Sequence, residues 1–142
     1  MNLLVYDDQN VIAHLVRAAL CGRHHRVALC ADPAEAQLKL DTGLFDAMII
    51  GPGRIGTLNE FSVSFEDRRP IGVLEGSWKT DEFLREVIDA AHRPNDFVVF
   101  DSDPKALVER LIQMVQKIKE RNMVFDSHDG WSATGKGAEV IL

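Results

Sequence analysis

Short apolar runs and amphipathic stretches alternate along this chain. Residues 3–6, 27–30, 47–50, 71–74 and 97–100 are brief, mostly apolar runs. Runs of this length fit strands that are buried on both faces of a parallel sheet. Between them the apolar positions recur with helical spacing. One stripe holds Val11, Ile12, Leu15, Val16, Ala19 and Leu20, and another holds Phe83, Leu84, Val87, Ile88 and Ala91. The cleanest is Leu107, Leu111, Met114, Val115 and Ile118. Asp32-Pro33 and Asp103-Pro104 each offer a capping carboxylate followed by proline at the first helical position. Asn10 and Thr80 are the expected caps of the first and fourth helices, and Gly43 is the expected stop of the second. Residues 57–67 predict a short or irregular third helix, because Ser62, Val63 and Ser64 are indifferent helix formers.

The pattern is (βα)5 over residues 1–121. Right-handed crossovers then predict an α/β, flavodoxin-like, doubly wound parallel sheet in the order 2-1-3-4-5. Residues 122–142 break the rhythm. Asp126 to Gly130 and Gly135-Lys136-Gly137 read as turns, with Phe125, Trp131 and Val140-Ile141-Leu142 as apolar islands. This stretch is expected to be a short extension on the domain or a linker to a further effector domain.

Composition narrows the partners. The chain has 142 residues, 46% hydrophobic and 27% charged, with a formal net charge of −6. One domain with a real core fits that length. The negative charge disfavours direct binding of nucleic acid or an anionic membrane. No apolar run approaches the roughly 20 residues of a membrane span. The first strand begins next to Met1, which leaves no room for a signal peptide and suggests a cytoplasmic protein. The two cysteines, Cys21 and Cys30, are expected to be free core thiols.

Candidate chemistry lies where parallel strands bring their C-terminal ends to one edge. The first strand ends in Asp7-Asp8, and the third ends in Gly51. Together with Glu75 and Asp101, Asp7 and Asp8 invite a reading as a Mg²⁺ or Ca²⁺ site. A solvated acidic cluster, balanced by helix N-termini and Arg54, is the preferred reading. Asp46 stands at the wrong end of its strand, about five residues and ~17 Å away at strand rise. Gly51-Pro52-Gly53-Arg54-Ile55-Gly56 lacks the spacing of a phosphate loop and reads as a turn. His14, Cys21, His24 and His25 lack the paired spacing of zinc ligands and read as helix and loop residues. Lys117 to Arg121 reads as the exposed end of the last helix. No nucleophile–base pair is visible, so an enzyme is not expected.

In order and spacing, these residues resemble the receiver domain of two-component response regulators. The resemblance rests on Asp7-Asp8 after the first strand and on Phe45-Asp46-Ala47-Met48-Ile49-Ile50 before Gly51. It rests also on Pro70 opening the fourth strand and on Asp96-Phe97 opening the fifth. It implies that the phosphoacceptor aspartate falls on Gly51, the Ser/Thr on Glu75, the lysine on Phe100 and the cis-proline on Asp101. Asp7 and Asp8 fall on the family's metal-binding acids, and Phe97 on its switch aromatic. Aspartyl phosphorylation needs a carboxylate nucleophile, a divalent cation and a cation on the phosphoryl oxygens. Gly51 and Phe100 supply neither nucleophile nor charge, and Glu75 would repel a phosphoryl group. Phe100 is expected to plug the space beside Gly51 or to present a contact surface.

The resemblance therefore implies an atypical pseudo-receiver, which signals without phosphorylation and uses no cofactor. It would be the regulatory part of a response regulator, with transcription regulation as one output. The family's docking face, made by its fourth helix, fifth strand and fifth helix, covers residues 83–91 and 105–121 here. Phe83, Val87, Phe97, Leu107 and Leu111 are its expected contact residues, with a homodimer or another protein as partner. A small-ligand or metal sensor and a diverged phosphoswitch are the alternatives.

Overall fold

The computed structural model describes residues 1–7, 17, 25–52 and 55–128. Its five strands are β1 (Asn2–Tyr6), β2 (Arg26–Cys30), β3 (Ala47–Ile50), β4 (Ile71–Leu74) and β5 (Val98–Asp101). All pair in parallel, in the order β2-β1-β3-β4-β5. The described helices are α1 (Pro33–Asp41), α2 (Ile55–Glu66), α3 (Thr80–Ala91) and α4 (Pro104–His128). This is the flavodoxin-like sheet that the alternation predicts. The expected first helix, with Asn10, His14 and Cys21, lies outside the described residues, as do His24, Asp8, Arg54 and residues 129–142.

Both faces of the sheet are covered. Leu4, Tyr6, Met48, Ile50, Ile71 and Val73 point to the side of α1, α2 and α3. Leu3, Val5, Ala47, Ile49 and Leu74 point to the side of α4, against Leu107, Val108, Leu111, Ile112 and Val115. The period-2 alternation of β1 thus sends one residue to each layer in turn. Gly72 sets the distance between β4 and α4. A Cβ there would meet Leu111 Cδ2 at 3.2 Å and Leu107 Cδ1 at 3.3 Å.

The helix boundaries follow local chemistry. Asp32 accepts from the Ala34 amide at the start of α1, and Asp103 accepts from the Ala106 amide at the start of α4. α1 ends at Asp41, and Gly43 follows at φ 68°, a conformation open to glycine. Three expectations change. α2 is a regular helix of 12 residues, because Ser62 donates to the Leu58 carbonyl within the helix and Ser64 packs on the sheet. Thr80 does not cap α3. The cap position is Lys79, at φ 60° and without a side-chain bond. The last helix continues through residues 122–128, since no glycine or proline interrupts it before Gly130.

Candidate functional site: the C-terminal edge of the sheet

β1 and β3 are paired through Tyr6 and Ile50, so the residues that follow them, Asp7 and Gly51, are neighbours at the edge. The Gly51 amide donates to the Tyr6 carbonyl at 3.2 Å, and the Asp7 amide donates to the Cys30 carbonyl at 2.9 Å. Asp7 is 1% exposed and Gly51 is buried. Among the described residues, this centre therefore holds one buried carboxylate and a residue with no side chain. Among the described residues, no three His, Cys, Asp or Glu side chains come together as a metal cage. Asp8, the other expected metal-binding acid, lies outside the described residues.

The outer strand ends are built differently. The Glu75 amide donates to the Asp101 carbonyl at 2.8 Å and ties β4 to β5. The Glu75 carboxylate pairs with Arg85 of α3 at 3.1 Å. The same guanidinium lies over the Phe100 ring, 3.9 Å from its centroid. Arg110 of α4 donates to the Phe100 carbonyl at 2.6 Å and pairs with Asp101 at 3.1 Å. The Asp103 amide and then Arg110 hold the Asp101 carboxyl below the ordinary carboxylate range. Two helix arginines thus brace this side from opposite faces of β5. Sequence reasoning missed both, because Arg85 and Arg110 are polar positions on amphipathic helices and only the topology brings them to the strand ends.

Phe100 is half-buried against the α2–α3 layer, beside Arg85. Asp46 sits at the opposite end of the sheet, accepting from the Asn2 amide at 2.7 Å and pairing with Lys119 at 3.1 Å. Partial burial opposes its ionisation, but those two donors outweigh it and hold its carboxyl low. Cys30 is a free, buried thiol pushed up chiefly by burial.

The expected docking residues divide. Phe83 is 50% exposed and Val87 is half-buried, so both are on the surface of α3. Leu107, Leu111 and Phe97 are corrections. The two leucines pack under the sheet, and the Phe97 ring lies tilted against Phe65 with centroids 5.1 Å apart, so this chain's own core uses all three. Beside β5 a groove of about 270 Å³ is lined by Val99, Arg110, Met114, Lys117 and Arg121, among others.

No protein-family model matches this chain, and no curated protein matches it significantly. Solved structures do. A Francisella response regulator receiver domain aligns at a TM-score of 0.60 and 16% identity, covering 82% of this chain and 98% of its own. A fusion protein that carries the trimeric coiled-coil segment of yeast Spc42 aligns at a TM-score of 0.62 and 17% identity, covering 99% of this chain and 96% of its own. At these identities the likeness defines the class of fold. The chain has a receiver-like fold.

Proposed function

We propose that this chain is a phosphorylation-independent, receiver-like signalling domain that works by docking through α3, β5 and α4. It performs no catalytic step in this reading. The observation that carries it is the strand-end chemistry. Where a receiver would hold a nucleophile and a phosphoryl-binding cation, this chain has Gly51 and a Phe100 ring covered by Arg85. Glu75 is engaged by the same arginine at 3.1 Å.

The partner is a second copy of the chain. The exposed surface of α3 carries Glu82, Glu86 and Asp89 around Phe83. The exposed surface of α4 carries Arg110, Lys117 and Arg121 along one side. Arg110 and Arg121 are partly offset by Asp101 and Asp96, whereas Lys117 makes no ion pair among the described residues. A two-fold axis near β5 sets the acidic helix of one copy against the basic helix of the other, with Phe83 and Val87 between them. Such a face is self-complementary, as a two-fold interface requires. An attached effector, including a transcription-regulating one, would read this pairing.

Equilibrium sedimentation of the full chain tests the proposal. Lys117→Glu with Arg121→Glu should weaken self-association by about tenfold or more, and so should Glu82→Lys with Glu86→Lys. Mixing the two variants should restore pairing. A wild-type chain that is monomeric at high concentration, or variants that associate as the wild type does, would end this reading.

A further inference from the structure

α2 buries a polar stripe beside its aromatic one. Thr57, Glu60 and Ser64 recur at i, i+3 and i+7 and are each 0% exposed, while Phe61 and Phe65 hold the sheet next to them. Ser64 has a partner, since its hydroxyl lies 3.7 Å from Met48 Sδ. Thr57 Oγ1 and Glu60 Oε2 are buried without any among the described residues. These two sit one turn apart on the same helix face, so the unmatched atoms lie in one region of the α1–α2 layer.

Among the described groups around Glu60, the Asn59 bond alone supports its charge. Asn59 of the same helix donates to Oε1 at 3.0 Å and favours the ionised form, but it leaves Oε2 unmatched. Asp41 faces it from α1 and adds negative charge. Cys30 faces it from β2 and is itself held in its neutral form by burial. Among the described residues, Lys39 is the cation beside Cys30, and it pairs with Glu35 at 2.9 Å. Glu60 lies in the second turn of α2, beyond the reach of most of the helix-terminal dipole. Burial pushes its carboxyl above the usual range; the Asn59 bond offsets part of that rise, and Asp41 adds to it.

We infer that Glu60 is a proton-responsive latch that seats the N-terminal half of α2 on the sheet when neutral and releases it when ionised. A neutral acid can be buried at modest cost, whereas a buried carboxylate with an unmatched oxygen cannot. Release carries the carboxylate to water while Phe61 and Phe65 continue to anchor the rest of the helix. The sign follows from linkage. The folded chain binds the Glu60 proton more tightly than the unfolded chain does, so the seated state is fully favoured below the ordinary glutamate range. It loses ground as pH rises through the raised value. The latch is independent of the docking face on α3, β5 and α4, so either idea can fail alone.

Hydrogen exchange of the full chain tests it, at about pH 5 and about pH 8 after correction for intrinsic exchange. In the wild type, protection of the amides of residues 57–64 should fall by about tenfold or more at the higher pH. It should stay constant in Glu60→Gln, which keeps the shape of the neutral acid, while α4 amides stay constant in both. Asp41→Asn should narrow the wild-type change. Equal protection in wild type and Glu60→Gln at both pH values overturns the latch, as does a loss spread evenly over the chain. Carbon-13 titration of the wild-type Glu60 carboxyl supplies a second measure. A midpoint above the usual glutamate range is expected, and one at or below that range overturns the inference.

Discussion

At the same sheet edge, the inner and the outer strand ends have opposite constructions. β1 and β3 end in Asp7 and Gly51, both buried and fixed by backbone bonds to neighbouring strands. β4 and β5 end in Glu75, Phe100 and Asp101, which side chains from α3 and α4 hold. The inner pair is a property of the sheet. The outer group is a property of the two helices proposed to dock, so a change at those helices has a direct route to the rim. At the outer strand ends the carboxylates are balanced within the chain, Glu75 by Arg85 and Asp101 by Arg110.

Putting a carboxylate into the inner centre should have the largest effect. Gly51→Asp places another acid beside buried Asp7, and the expected loss is about 2–4 kcal/mol at neutral pH. Urea denaturation reads it. A Gly51→Asp chain as stable as the wild type would show that the inner edge is open to water and that the contrast is misplaced.

Phe100→Ala should cost about 2 kcal/mol, since a half-buried ring and its stacked guanidinium are both lost. The same denaturation measures it, and a cost near zero would make the ring ornamental. Asp46 probes the other end of the sheet. Its carboxyl is held low, so its contribution is present above the ordinary aspartate value of 3.8 and is lost as pH falls through the lowered folded value. Asp46→Asn should therefore cost about 1 kcal/mol at neutral pH and converge with the wild type in acid. A difference that persists unchanged in acid would rule out the ionised carboxylate as its source. The smallest effect belongs to Glu75→Gln, expected below about 0.5 kcal/mol because the Arg85 pair is largely solvated. Its value lies in the double-mutant cycle with Arg85→Ala, whose coupling should be small but positive.

Much of this architecture was legible because period and punctuation agreed. The runs ending at Tyr6, Ile50 and Leu74 gave the strands, and Asp32-Pro33 and Asp103-Pro104 marked the helix starts that the capping bonds confirm. Other features depend on partners distant in sequence. Thr57, Glu60 and Ser64 look like the solvent side of α2, and only the sheet beneath them makes them a buried stripe. Leu107 and Leu111 belong to the apolar stripe that packs on the sheet, and it was the docking face implied by the resemblance that placed them on the surface. The braces at Arg85 and Arg110 required the register of β4 against β5 before either could be assigned.

The central proposal is that self-pairing occurs without phosphoryl transfer. It is tested most directly by sedimentation and intact mass of the full chain, before and after incubation with acetyl phosphate and Mg²⁺. The account predicts an unchanged mass and an association constant that does not move. A stable gain of one phosphoryl group on an aspartate at the sheet edge, with altered association, would contradict it.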